Sequence, residues 1–335
     1  MTSIYFHPAG VNDGYIPGKP RAGGTTLTFS RDWLIHIANQ TLDISRRGSY
    51  VNLMGEKVEI AEALKYAIDH SVHYHSSHNF APSEVKNRIK TRYYVWFGSS
   101  LDVATMLQQL SPDAHVAILN SASGKHPGGK FFRGTISQED CICRASLLYP
   151  CLVQFADKPH YFYAVNNKPK YLQSNSTCAI FNPLVPVVRE DTVRGDLLDS
   201  ISKFSFVSLP APNAFVLGSH EVPKAQLPGA GERNEAHGYL TLDEDMRDRC
   251  YRTLSIMAEH GCTDLVLCAF GCGVHGNDPV TVAKTLREIL NAPEFRGRFR
   301  TIAFAIQPSR HANYKAFVEA FPESQRDLPP PEMIA

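Results

Sequence analysis

His115-Val-Ala-Ile-Leu-Asn120-Ser-Ala-Ser-Gly-Lys-His-Pro-Gly-Gly-Lys130-Phe-Phe-Arg-Gly-Thr-Ile-Ser-Gln138-Glu139-Asp140 is the stretch whose reading decides the fold. Its opening apolar run has the character of a strand buried on both faces, and a glycine loop follows. The next helix is predicted to begin near Thr135 or Ser137, since either hydroxyl can cap a first turn. Strand, glycine loop and helix make up the unit of an α/β sheet, and such sheets bind ligands where the chain leaves the carboxyl end of a strand.

Working outward, the alternation at Ile89–Phe97 predicts a strand and Leu101–Leu110 a helix. Further strands are expected at Tyr161–Val165, Cys178–Val188, Phe204–Leu209, Leu265–Phe270 and Thr301–Ile306. Upstream, a helix runs from Ser30 to Gly48 with Leu34, Ile37, Ala38 and Thr41 on one face, and a second runs from about Val58 to His70. Downstream, Thr241-x-x-Glu244 is a capping box for a helix closed by Gly261, and Asp278-Pro279 starts another. The fold class is therefore α/β: a three-layer α/β/α arrangement around a mixed central sheet, with an N-terminal helical extension. Residues 1–29, rich in Gly and Pro, are expected to be an arm. Residues 30–322 form a single domain, with a polar insertion from Gly218 to Gly238, and residues 323–335 are a tail.

The 335 residues suffice for one large domain or about two ordinary ones. With 43% hydrophobic and 20% charged residues, the chain is globular rather than disordered or fibrous. Lys and Arg number 34 against 33 Asp and Glu, so no broad field favours nonspecific nucleic-acid or membrane binding. Any bound anion has to be gripped by local geometry. The absence of a leader-like start and of an 18-residue apolar run gives the expectation of an intracellular protein, cytoplasmic or nuclear. The eight cysteines include no CxxC pair and read as reduced thiols. The run His70, His73, His75, His78 lacks other ligands at metal-binding spacing and reads as a solvated loop, so no metal is expected.

Two glycine loops invite misreading. Gly124 to Lys130 fits a P-loop except that Phe131 replaces the Ser or Thr that would hold Mg²⁺, and Gly134 interrupts the helix that should follow. Gly271-Cys-Gly273-Val-His-Gly276 satisfies a dinucleotide pattern, but the next strand ends in Gln307-Pro308 rather than an acidic residue. What the loops share is glycine backbone that lets N–H groups approach closely, either to cradle a phosphate or merely to make a tight turn. Two such loops suit a diphosphate.

The Asn120 to Asp140 stretch resembles the microbial-type poly(ADP-ribose) glycohydrolase family, whose motif is GGG, a short spacer and QEE within a macrodomain. Similar blocks occur in the same order at Gly48-Ser-Tyr-Val51, Phe181 to Asp191, Pro210-Ala-Pro-Asn213 and Cys268 to Pro279, so the resemblance runs from about Ser30 to Phe321. It implies hydrolysis of a ribosyl glycosidic bond to leave ADP-ribose, with no cofactor. It also implies ADP-ribose or an ADP-ribosylated protein or polymer as partner. Gly128, Gly129 and Lys130 would hold the diphosphate, and Asn120 and Ser123 would face the distal ribose. Gly271, Gly273, Val274, His275 and Gly276 would form the second ligand loop. Asp140 would be the general acid, with Glu139 and Gln138 orienting the ribose.

The sequence departs from the pattern at Lys130 (the third glycine), at Asp140 (the second glutamate) and at His275 (an aromatic in the family). Asp is one methylene shorter than Glu, a displacement of roughly an ångström that can cost on the order of a hundredfold in rate. Adjacent helical positions point about 100° apart, so the Glu139 carboxyl is expected to face elsewhere. Hydrolysis of poly(ADP-ribose), hydrolysis of a mono-ADP-ribosyl linkage, binding without hydrolysis, and a structural protein that keeps only the fold all remain open at this stage.

Overall fold

The computed structural model describes residues 30–81, 84–168, 175–217, 222–223 and 239–327. The expected arm, nearly all of the Gly218–Gly238 insertion and the end of the tail lie outside the described residues. The chain opens with α1 (Arg31–Arg47), the hairpin strands β1 (Ser49–Val51) and β2 (Lys57–Glu59), α2 (Ala61–Asp69) and β3 (Val72–Tyr74). Then come β4 (Arg92–Phe97), α3 (Ser100–Leu110), β5 (Val116–Ser121), α4 (Gln138–Ala145), α5 (Leu148–Val153) and α6 (Phe162–Asn166). The long strands β6 (Ala179–Arg189) and β7 (Leu197–Leu209) are followed by α7 (Ala214–Leu217), β8 (Val222–Pro223) and β9 (Tyr239–Leu240). The chain closes with α8 (Leu242–Glu259), β10 (Asp264–Cys268), α9 (Pro279–Leu290), β11 (Thr301–Ile306) and α10 (His311–Ala320).

Seven strands form the central sheet in the order β3-β6-β7-β5-β10-β11-β4. From β7 to β4 neighbours run parallel, while β6 and β3 add antiparallel pairings at one edge. The sheet is therefore mixed, as the strand pattern led one to expect. Successive side chains of a strand point to opposite faces, and β5 uses this to feed two cores. Val116 and Ile118 pack with Leu101, Leu107 and Ile142 on one side, whereas Ala117 and Leu119 pack with Met246, Leu254 and Leu286 on the other. Helices cover both faces, which gives three layers.

Local signals set the helix ends. Ser30 accepts from Trp33 N–H at the start of α1, Ser99 and Asp102 form a capping box on α3, and Thr241 and Glu244 form one on α8. Asp278 caps α9 with Pro279 in its first turn.

Three expectations are corrected. Tyr161–Val165 belongs to helix α6, not a strand: Phe162, Tyr163, Val165 and Asn166 are all buried, so the run has no exposed face from which a period could be read. The Val58–His70 helix begins only at Ala61, because Val58 pairs with Tyr50 in the β1-β2 hairpin. The histidine run is not a solvated loop throughout, since Val72–Tyr74 is the edge strand paired with β6. His73 lies among the rings of Phe155, Tyr161 and His75, and burial, reinforced by His75, pulls its pKa down to about 4.

One helix ties the sheet edge to the site. On α8, the buried Arg249 pairs with Asp245 (3.0 Å) and donates to the carbonyls of Ser176 and Pro210 (2.8 Å each) and Asn175 (3.3 Å). One turn on, Arg252 donates to the carbonyls of Thr177 (2.9 Å), His78 (3.0 Å) and His75 (2.8 Å). Buried guanidiniums need their donors filled, and these two fill them with main-chain carbonyls and, at Arg249, the Asp245 carboxylate. Removing one partner of a buried ion pair strands the other, at a cost of about 3–5 kcal/mol. Arg249→Met is expected to lose stability on that scale in urea titration, whereas the exposed Arg46→Met should shift the midpoint little.

Candidate active site

β5 and β10 are parallel neighbours, with Val116 opposite Asp264. The loops that leave their carboxyl ends therefore start side by side at one edge of the sheet. Both expected glycine loops lie there.

The first loop doubles back over the start of α4. Gly128 and Gly129 have φ of 66° and 64°, two successive left-handed residues. A Cβ on Gly129 would sit 3.0 Å from Asp140 Oδ1 and 3.0 Å from Glu139 Oε2, so a side chain there would press on both carboxyls from a left-handed backbone that other residues rarely adopt. The same contact corrects the expectation that the two carboxyls diverge. Their stems leave the helix in different directions, but the loop crosses its first turn and both ends arrive at one glycine.

Ser137 is the N-cap of α4, in agreement with one of the two starts expected, and Asp140 closes a capping box with it. Asp140 Oδ2 accepts from Ser137 N–H (2.8 Å) and from the Ser137 hydroxyl (2.7 Å), while Oδ1 accepts from Lys130 N–H (2.8 Å). Glu139 Oε2 accepts from Ser123 N–H at 2.7 Å, and Asn120 Nδ2 approaches Oε1 at 3.4 Å. Both acidic side chains are only 2% exposed. Burial pushes the Glu139 pKa up to about 8, with a smaller push from Asp140, against the pull of N–H donors at Ser123, Asn120 and Gly128. Glu139 therefore holds its proton to higher pH than an ordinary glutamate does.

Gln138 is a brace. Its amide nitrogen donates to the Ser100 hydroxyl (2.7 Å) and the Leu119 carbonyl (2.9 Å), and its oxygen accepts from Ser121 N–H (2.8 Å), joining α4 to α3 and β5. Asn120 is fully buried; its Nδ2 donates to the Ser208 hydroxyl at 3.0 Å, and its Oδ1 has no hydrogen-bond partner. Ser123 shapes the loop by accepting from Lys125 and His126 N–H through its hydroxyl (3.2 Å each). The Lys130 side chain is exposed.

Tyr163 is a residue that sequence reading missed. Its hydroxyl is buried without a hydrogen-bond partner, and burial first, then the charge of Glu139, raise its pKa. Reading the Tyr161–Val165 run as a strand hid it.

In the second loop, Asn277 Nδ2 donates to the carbonyls of Pro212 (2.9 Å) and Gly271 (3.0 Å), and Ala214 N–H donates to the His275 carbonyl (2.9 Å). The Pro210-Ala-Pro-Asn213 block and the second loop therefore form one unit, at the carboxyl ends of β7 and β10. The Phe215 ring lies over Gly276, Val274 is 85% exposed, and His275 has its pKa lowered by burial and then by the charge of Arg249. A Cβ at Gly273 would meet nothing within 4 Å, so that glycine is not required by packing. Among the described residues no group of three His, Cys, Asp or Glu gathers as a metal site, and no helix is long and apolar enough to cross a membrane. Shallow clefts lined by residues such as Glu244, Arg247, Tyr251 and Glu288 run along α8 and α9, and none of the expected site residues lines them.

With this geometry established, likeness to known proteins can be read. The model of the family described as "Microbial-type PARG, catalytic domain" matches residues 38–190, which include the first loop and α4 but not the second loop. The poly(ADP-ribose) glycohydrolase of Thermomonospora curvata superposes with a TM-score of 0.72 at 30% identity, covering 86% of this chain and 99% of that one. The same protein bound to the inhibitor ADP-HPD gives 0.69 with the same identity and coverage. The poly(ADP-ribose) glycohydrolase of Deinococcus radiodurans in complex with ADP-ribose gives 0.60 at 28% identity, covering 77% of this chain and 97% of that one. None of the curated proteins matches. Sharing 30% identity across nearly the full length of a solved relative, on the same mixed sheet, the chain belongs to the microbial-type poly(ADP-ribose) glycohydrolase family.

Proposed function

We propose that the protein hydrolyses the ribosyl glycosidic bond of ADP-ribosylated substrates, poly(ADP-ribose) first among them, and releases ADP-ribose. The observation that carries this reading is the carboxylate pair on the first turn of α4. Both groups face one glycine loop, and one of them, its pKa raised by burial to about 8, lies beside a buried acceptor, Asn120 Oδ1, that no protein donor fills. Relatives in complex with ADP-ribose and with an inhibitor support the choice of ligand.

In this reading the diphosphate lies between the Gly128-Gly129-Lys130 turn, whose own N–H groups go to Glu139, His126 and Asp140, and the Gly271 to Gly276 loop, where main-chain N–H groups of Gly273, Val274 and His275 hold it. Backbone donors at glycine loops suit an anion without requiring a net positive protein. Asn120 Oδ1 accepts from a ribose hydroxyl, Ser123 keeps its loop against that ribose, and Gln138 fixes α4 under it.

Cleavage breaks the bond between the anomeric carbon and the leaving oxygen through an oxocarbenium-like state. The bonding pair goes to the oxygen, which takes the proton of a carboxylic acid. Water then adds to the anomeric carbon, and its proton returns to the carboxylate, so the enzyme is regenerated without a cofactor. Both members of the pair are assigned to this work.

Incubation with poly(ADP-ribose), and separately with a mono-ADP-ribosylated protein, is expected to release ADP-ribose with the wild type and not with the double variant E139Q/D140N. Calorimetric binding of ADP-ribose without release from either substrate would identify a reader, and absence of binding would remove the ligand assignment. Because the folded pKa of Glu139 is raised to about 8, its protonated form is present below that pH and is lost above it. The rate of release is therefore expected to hold through neutral pH and to fall as pH rises past about 8, measured by initial rates across a buffer series.

A further inference from the structure

Resting on the hydrolase reading, we propose that the exposed cations Lys125, Lys130, Arg133 and Lys168 form a phosphate-binding rim beside the first glycine loop. The rim takes the diphosphate of the next ADP-ribose unit, the one attached through the leaving oxygen, and so favours polymer over a single ADP-ribosyl group.

The first loop has spent its main-chain donors inside the protein. Gly128 N–H goes to Glu139, Gly129 N–H to the His126 carbonyl (3.0 Å) and Lys130 N–H to Asp140 (2.8 Å). Lys125 and His126 N–H both go to the Ser123 hydroxyl, at 3.2 Å each. Phosphates that pass over this side of the cleft therefore have to be met by side chains. The third residue of the turn supplies one. Gly128 and Gly129 are left-handed, but Lys130 has φ −125°, so the backbone accepts a side chain there without strain. That side chain is exposed.

The charge around it is one-sided. From Ser121 to Gln138 the sequence carries Lys125, Lys130 and Arg133 and no Asp or Glu. Asn167 Nδ2 donates to the Lys125 carbonyl (3.2 Å), which brings Lys168 beside the same loop, and residues 158–176 likewise contain no Asp or Glu. All four side chains are exposed, and among the described residues none of the four has an ion-pair partner. In a chain whose overall balance is only +1, this is a local excess of positive charge.

Position decides the partner. Lys130 is bonded through its N–H to Asp140, so its side chain starts at the carboxyl pair where the glycosidic bond breaks. In poly(ADP-ribose) the leaving oxygen is a ribose hydroxyl of the next unit, and that unit carries its own diphosphate. In a mono-ADP-ribosylated protein the leaving atom belongs to the protein, and no second diphosphate follows. A nucleic acid offers phosphates as well, but nothing ties its strand to the carboxyl pair. Lys and Arg that neutralise phosphates release counterions, so the rim carries a salt-dependent signature that uncharged contacts lack.

The test compares the wild type with K125Q/R133Q/K168Q, which leaves Lys130 and both carboxyls in place. Initial rates of ADP-ribose release are read on poly(ADP-ribose) and on a mono-ADP-ribosylated protein across a salt series. On polymer the variant is expected to raise KM about tenfold at low salt and to keep kcat within about twofold. Its plot of log KM against log salt should be flatter by a slope of about 2, which is what three phosphate contacts carry on a single strand. On the mono-ADP-ribosylated protein KM is expected to move by less than about twofold. An unchanged KM for polymer, or the same rise on both substrates, overturns the proposal. A single-stranded oligonucleotide is expected to inhibit polymer hydrolysis only weakly; a Ki at or below the polymer KM, both in phosphate units, would make the rim a nucleic-acid surface and overturn it too. Absence of release by the wild type is a distinct result, which overturns the hydrolase reading. Gel-shift binding of poly(ADP-ribose) then reads the rim by itself: about tenfold weaker binding by the variant supports it, and equal binding overturns it.

Discussion

Two main-chain N–H groups of one glycine loop, those of Ser123 and Lys130, are given to carboxylates on adjacent residues of one helix, Glu139 and Asp140. The rest of the site depends on this exchange. It brings the loop down onto α4 and leaves little room for a side chain at position 129. It also draws two acidic groups into the interior, where water no longer solvates them. Hydrogen bonds from these N–H groups to the two carboxyls replace part of the solvation that burial removes.

The larger architecture serves this arrangement. A parallel pair of central strands, β5 and β10, brings two sequence-distant loops to the same edge of the sheet. Gln138 braces the helix against β5 and α3, so the first turn of α4 cannot rotate without breaking three hydrogen bonds to those two elements. On the opposite face, Arg249 and Arg252 gather carbonyls from the stretches that begin β6, end β7 and follow β3. These guanidiniums tie together chain segments at the edge of the sheet from which the second loop's partner block, Pro210 to Asn213, begins.

Much of this was legible in the sequence because it rests on local signals. The caps at Ser30, Thr241 and Asp278 name their helices, the apolar run before Asn120 names a central strand, and the glycines at 128, 129, 271 and 276 mark strand-to-helix turns whose backbone only glycine adopts easily. What escaped reading depends on tertiary position. Whether Glu139 and Asp140 face together or apart is decided by where the loop lies over the helix, and no helical angle contains that information. Tyr163 was hidden because a short run made almost wholly of apolar residues has no polar period by which helix and strand differ. His73 looked solvated until its pairing with β6 set it among Phe155 and Tyr161. The substitution of Asp for Glu was visible at once, but its meaning came only from the donors that Asp140 meets.

The central claim is that Glu139 is a carboxylic acid held ready in the interior, and its ionisation can be observed without a substrate. Infrared difference titration of the carboxyl C=O stretch, assigned by its loss in E139Q, measures it directly. The account predicts a protonated Glu139 at pH 7 that ionises at about 8. Ionisation in the ordinary glutamate range, near about 4.3, would contradict it.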